Sequence, residues 1–330
     1  MNVLITGGAG FIGSHLAERC LAEGWRVSVL DDLSTGAMEN IAHLKARPNF
    51  SYCINSIFCE PLVAELVDRA DAVFHLAAAV GVKLIMGNPV RTLETNVLGT
   101  EVVLRCAARK GRPVMVASTS EVYGKSVRMP FREEDDLAIG PATVGRWSYA
   151  CSKALDECLA FSYWRERALP VTVARLFNTA GPRQTGRYGM VLPTLVGQAL
   201  RGEPLSVYGS GEQRRCFAYV GDVVESLVRL MQTPEAVGEV VNIGNDEEVS
   251  INELAALVKE ITGSRSRVGH VSYELAYGPG FEDLQRRVPS LEKLERLVHY
   301  RPATPLDTIV RRVVDYEWVR MPKPSLALAV

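Results

Sequence analysis

The stretch that decides the fold is "GGAGFIG", Gly7 to Gly13, directly after the apolar run "NVLIT". It satisfies G-x-G-x-x-G from Gly8 and G-x-x-G-x-x-G from Gly7. Glycines at that spacing permit a tight strand-to-helix turn. They also let backbone N–H groups approach a pyrophosphate at the helix N-terminus. Behind them, "FIGSHLAERCLAEG" places apolar residues at helical spacing and stops at Gly24. A second strand, "RVSVLD", ends in Asp31, 18 residues after Gly13. An acid there accepts from adenosine ribose hydroxyls and repels a 2′-phosphate, so NAD is expected rather than NADP. Gly7, Gly10, Phe11, Ile12 and Gly13 form the expected pyrophosphate turn. In "HLAAAV", 75–80, the residues Leu76, Ala77 and Ala78 end a later strand at the same sheet edge and leave room for a flat cofactor. His75 reads as a packed core histidine.

The pattern continues outward. "DAVFHLAA", "NPVRTLETNVLGTEVVLRCAARKG", "PVMVAST", "YACSKALDECLAFSYWRERA" and "VTVARLF" alternate strand and helix. Continuous apolar strands separated by helices predict a parallel sheet covered on both faces. The fold class is therefore α/β, a Rossmann-type doubly wound parallel sheet with a smaller α/β C-terminal domain. Residues 1–177 are expected to bind the cofactor and 178–330 the substrate. Non-contiguous segments blur that boundary. The tail "MPKPSLALAV" reads as loose.

Composition excludes some partners. Of 330 residues, 37 are Lys or Arg and 38 Asp or Glu, a net charge of −1. No global field recruits nucleic acid or an anionic membrane, so an anionic ligand must be held by local arginines and helix ends. Seven cysteines without C-x-x-C suit reduced thiols, and "MNVLITGG" is too short for a signal peptide. A cytoplasmic protein is expected, with no metal.

Two further stretches carry chemistry. "RWSYACSKALDE" holds Tyr149 and Lys153, four apart on one helical face. An ammonium beside a phenol lowers its pKa and makes a base for a hydroxyl proton. "ASTSEVYG", 117–124, puts Glu121 among hydroxyl residues at a strand end, where burying a charge is costly unless it is paired or used.

With these residues in place, the chain resembles the extended short-chain dehydrogenase/reductase family, the nucleotide-sugar epimerases, dehydratases and decarboxylases. "GGAGFIGSHL", "TNVLGT", "STSEVYG", "YACSK", "RLFNTAGPR", "LRGEPLSVYGSGEQRRCFAYVGDVV" and "VNIGN" carry the likeness. The resemblance implies catalysis by Thr119, Tyr149 and Lys153, with the last two also touching NAD. It implies a nucleoside diphosphate sugar, with Asn178, Arg215 and Arg287 near the diphosphate and Val207 and Tyr208 near the base. The Thr119-Ser120-Glu121 combination looks like UDP-glucuronic acid decarboxylases, with Arg146 or Arg215 guiding the sugar carboxylate. A UDP-sugar 4-epimerase, a 4,6-dehydratase and a non-catalytic NAD-binding protein are the competing readings. Three positions depart from the family pattern: "INSIF" lacks an aspartate near 56, Met190 stands where an arginine is common, and "RRVPS" replaces "RKPD". Two helices with wide apolar faces, in 95–111 and 149–164, imply a homodimer through a four-helix bundle.

Overall fold

The computed structural model describes residues 1–277 and 283–321. The expected loose tail lies outside them. Seven parallel strands form the central sheet: β1 (Asn2–Thr6), β2 (Arg26–Asp31), β3 (Phe50–Ile54), β4 (Ala72–His75), β5 (Val114–Thr119), β6 (Val171–Leu176) and a last strand, Val240–Ile243. Their spatial order is Val240–Ile243, β6, β5, β4, β1, β2, β3. The order reverses at β1, which pairs with both β2 and β4. Ligands of doubly wound sheets bind outside the strand ends at such a switch point. The predicted sheet is present, and one late segment returns to its edge.

Burial explains the strand composition. Val3, Leu4 and Ile5 of β1 are buried, as are Val114, Met115 and Val116 of β5, because helices cover both faces. On one face, α1 (Phe11–Ala22) and the helix Val220–Gln232 bring Leu16, Cys20, Val223 and Leu227 into one core. On the other, helices Glu60–Asp68, Gly99–Lys110 and Trp147–Arg167 bring Val63, Val103, Ala107 and Ala160. A third core, including Leu195, Leu254 and Ile309, joins helices Val191–Arg201, Ile251–Thr262 and Leu306–Arg320.

Two local features aim the strand ends. The long helical run from Pro89 passes through a π-helical turn at Glu94–Leu98. That turn buries Asn96, which accepts from the Ala79 N–H at 2.8 Å and donates to Ser152 Oγ at 3.0 Å. It thereby ties the loop after β4 to the helix that carries Tyr149. Beneath β5, Arg175 donates twice to Glu157, at 2.7 and 3.0 Å, and Ser118 donates to the same carboxylate at 2.5 Å. The guanidinium also lies over the Tyr123 ring. This buried network anchors the strand end that presents Thr119 and Glu121.

Candidate active site

A cavity of about 540 Å³ opens along the C-terminal ends of the central strands and reaches the third core at Leu192, Phe217 and Ile251. At one end lies the glycine turn. Gly7 has φ +72°, and a Cβ there would come within 2.8 Å of the Ala77 amide nitrogen. A Cβ on Gly13 would sit 2.2 Å from the Gly7 carbonyl oxygen. Both positions therefore require glycine. The α1 cap, Gly10, makes no side-chain cap, and the first turn holds no acid. Backbone N–H groups and the positive end of the helix dipole face the cavity, a cradle that fits a pyrophosphate. Gly10, Phe11, Ile12, Leu76, Ala77 and Ala78 all line it.

Asp31 ends β2 at the same cavity. It accepts from the Ala9 N–H at 2.9 Å and the Leu33 N–H at 2.8 Å. Burial raises its carboxyl pKa, against the pull of those two amides. The turn thus holds the carboxylate at a fixed place beside Asp32, Ser34 and Thr35. His75 is buried, between Thr6 Oγ1 at 2.7 Å and Thr100 Oγ1 at 3.0 Å, the packed histidine that its strand position suggested.

The chemical residues meet mid-cavity. Thr119 ends β5 and hydrogen-bonds the Tyr149 phenol. Lys153 stands one helical turn beyond Tyr149, also in the cavity wall. One expectation needs correction here. The spacing of Tyr149 and Lys153 predicted a phenol with a lowered pKa, yet the Tyr149 hydroxyl is pushed above its ordinary value. Burial is the main cause, followed by the negative charges of Glu121 and Asp156. Lys153 donates to Asp156 Oδ2 at 2.7 Å, so its positive charge is already balanced.

Glu121 is the most constrained charge in the site. Arg146 Nη1 donates to its Oε2 at 2.8 Å, and Arg287 Nη1 lies 2.5 Å from its Oε1. Burial alone would raise this carboxyl, but the two guanidinium charges hold it down at about 2. Asp283 completes the cluster. Arg215 donates to both of its oxygens, at 2.8 and 2.9 Å, Tyr273 donates at 3.0 Å, and Arg146 lies 3.5 Å away. Three buried arginines thus face two carboxylates, a local excess of one positive charge. None of the three is a solvated surface charge.

The remaining predicted residues separate. Asn178 lines the cavity and donates to the Cys216 carbonyl at 3.2 Å. Tyr208 lines it too, edge-on to Tyr277 with ring centres 5.3 Å apart. Val207 points the other way into the third core, because neighbouring residues on a strand alternate sides; Ser206 and Tyr208 face the cavity instead. Met190 caps the helix Val191–Arg201 at the cavity wall. Sequence reasoning missed Asp283 and Asp156. Asp156 lies one helical turn after Lys153, and Asp283 stands four residues before Arg287 in an irregular segment.

Comparison with known proteins settles the family. The model of the NAD dependent epimerase/dehydratase family matches residues 3–244. The chain belongs to that family. Its cofactor is NAD, and the glycine cradle, Asp31 and the small residues 76–78 fit such a group. Among its relatives, UDP-N-acetyl-alpha-D-glucosaminuronate decarboxylase of Bacillus cytotoxicus is 41% identical over 96% of this chain and 97% of that one. UDP-glucuronic acid decarboxylase 1 of Xenopus tropicalis is 38% identical over 98% of this chain and 76% of that one. The solved UDP-glucuronic acid 4-epimerase of Bacillus cereus, in complex with UDP-glucuronic acid and NAD, superimposes with a TM-score of 0.87 at 26% identity. It covers 97% of this chain and 100% of its own.

The Glu121 carboxyl sits at about 2 in the folded chain against an ordinary 4.5. A depressed carboxyl stabilises the fold fully above its unfolded pKa and loses that contribution as pH falls through the folded one. Acid unfolding followed by circular dichroism should therefore show wild-type stability falling more steeply between pH 4.5 and 2 than that of Glu121→Gln. Parallel pH dependence of the two would show that the guanidinium pair does not hold the carboxylate.

Proposed function

We propose that the protein is an NAD-dependent UDP-hexuronate decarboxylase acting on UDP-glucuronate, giving UDP-xylose or the 4-keto pentose. The observation that carries this reading is Glu121, a permanent carboxylate clasped by Arg146 and Arg287 beside Thr119 and Tyr149. Relatives named as decarboxylases, 36–41% identical over nearly the whole chain, support it. NAD, when bound, supplies the two-electron acceptor for the sugar carbinol carbon.

The chain's residues supply the rest. Tyr149 takes the proton of the 4-hydroxyl as its phenolate, the form that burial and the charges of Glu121 and Asp156 oppose in the unliganded chain and that a bound cationic nicotinamide would favour, and Thr119 donates a hydrogen bond to the same oxygen. A ketone at C4 makes the C6 carboxylate a β-keto acid. The C5–C6 bond breaks, CO2 leaves, and the electron pair enters an enolate whose oxygen Tyr149 and Thr119 hold. C5 then takes a proton from water; release at this point gives the 4-keto pentose, whereas hydride return to C4, with the Tyr149 proton returning to O4, gives UDP-xylose. Held at about 2, Glu121 carries no proton near neutral pH, so it orders water and sugar near C5 rather than acting as the acid. The positive excess of Arg146, Arg215 and Arg287 draws the diphosphate and carboxylate of the substrate. Asn178 and the aromatic wall at Tyr208 complete the nucleotide end.

The 41% identical relative named for UDP-N-acetylglucosaminuronate favours a second reading of the sugar, with an acetamido group at C2. Incubation with NAD and each UDP-hexuronate, followed by mass spectrometry, tests both. Loss of CO2 from one sugar assigns the substrate, and a C4-inverted uronate with no CO2 would replace the reading with a 4-epimerase. Tyr149→Phe should lower turnover by roughly 10²–10⁴-fold while leaving NAD binding intact.

The assembly and setting are part of the same proposal. Val90, Leu93 and Leu98 of the 89–110 run are exposed, as are Leu155 and Trp164 of Trp147–Arg167. Such apolar faces suit a homodimer through a four-helix bundle. Light scattering at micromolar concentration should give twice the chain mass, and a monomer would refute the pairing. A cytoplasmic location accords with seven free cysteines, and no helix among the described residues is long and apolar enough to cross a membrane.

A further inference from the structure

Lys153 stands in the cavity wall near Tyr149, and its ammonium points to Asp156. The Asp156 side chain is fully buried. Its Oδ2 receives the ammonium, its Oδ1 makes no hydrogen bond of ordinary geometry, and Thr100 and Lys153 together oppose the upward push of burial on its carboxyl pKa. An unsatisfied buried carboxylate oxygen is costly, and folds retain few of them. The surroundings offer no substitute charge. His75, facing Lys153 from β4, is pushed down to about 3 by burial and by Lys153 itself, so it is neutral near pH 7. Thr100 and Tyr149 are uncharged near pH 7, and Glu157 on the same helix is taken by Arg175. Among the described residues, Asp156 is the only carboxylate within ion-pair distance of Lys153.

The charge balance bears on the cofactor. The nicotinamide ring is cationic in NAD and neutral in NADH. An unpaired ammonium in a poorly solvated wall would oppose the oxidised form, whereas a neutral pair does not. We propose that Asp156 is a positioning residue that neutralises Lys153 and thereby lets the resting enzyme hold oxidised rather than reduced cofactor. The inference rests on NAD as the cofactor and is independent of which sugar is processed.

The test uses no sugar, so its failure is distinguishable from failure of the decarboxylase reading. Dissociation constants of NAD and NADH are measured by calorimetry on the cofactor-free full chain, for wild type, Asp156→Asn and Asp156→Glu. Asp156→Asn should move the affinity ratio toward NADH by roughly tenfold, the size expected for one charge unmasked in a poorly solvated site. Asp156→Glu, which restores the charge, should return the ratio toward wild type. A purely structural role would weaken both forms alike, and an unchanged ratio in folded Asp156→Asn would overturn the proposal. A second measurement needs no variant. The wild-type chain should bind NAD at least as tightly as NADH, and a preference for NADH of about tenfold or more would equally overturn it.

Discussion

The site depends on one partly buried charge, the Glu121 carboxylate between the guanidinium groups of Arg146 and Arg287. A carboxylate placed there alone would take up a proton or resist burial. Two arginines reverse that outcome and hold it at about 2. The same contacts join three distant parts of the chain: the turn after β5, the loop entering the helix Trp147–Arg167, and the segment at 287. Asp283 extends the knot to Arg215. Binding an anionic substrate therefore acts on a cluster already balanced to within one charge, where a small imbalance selects strongly for negative ligands.

The fold delivers these groups by topology. Parallel strands ending on one side of the sheet bring Gly7, Asp31, Leu76 and Thr119 to a common edge, although 112 residues separate the first from the last. Two buried polar ties, Asn96 to Ala79 and Ser152, and Arg175 to Glu157 and Ser118, keep that edge in register with the helix of Tyr149 and Lys153. Removing one member typically costs about 1–3 kcal/mol for the neutral Asn96 tie and about 3–5 kcal/mol for the Arg175–Glu157 ion pair, so the ties specify geometry as well as stability.

The cofactor half was legible because its signals are local. A glycine spacing, a strand before it, a helix after it and one acid at the next strand end lie within 31 residues. The Tyr149–Lys153 pair was legible for the same reason, but its electrostatics were not. Asp156 belongs to the same helical face, and the three-residue step back to Lys153 went unread. Asp283 pairs with Arg215 across 68 residues, a contact that no periodicity announces. Val207 shows the reverse error: a motif position was assigned to the pocket, while strand alternation turns its side chain into the core. Local patterns name the groups, and tertiary pairing decides their charge state.

In the proposed mechanism, oxidation at C4, by groups meeting at Thr119 and Tyr149, precedes loss of the carboxylate. CO2 release from the UDP-hexuronate substrate bearing deuterium at C4, in competition with unlabelled substrate, bears on it most directly. Slower release from the deuterated sugar is expected, with the deuterium either back at C4 of UDP-xylose or left on the reduced cofactor when the 4-keto pentose is released. Equal rates with deuterium lost to solvent, or recovery of an inverted uronate with no CO2, would contradict it.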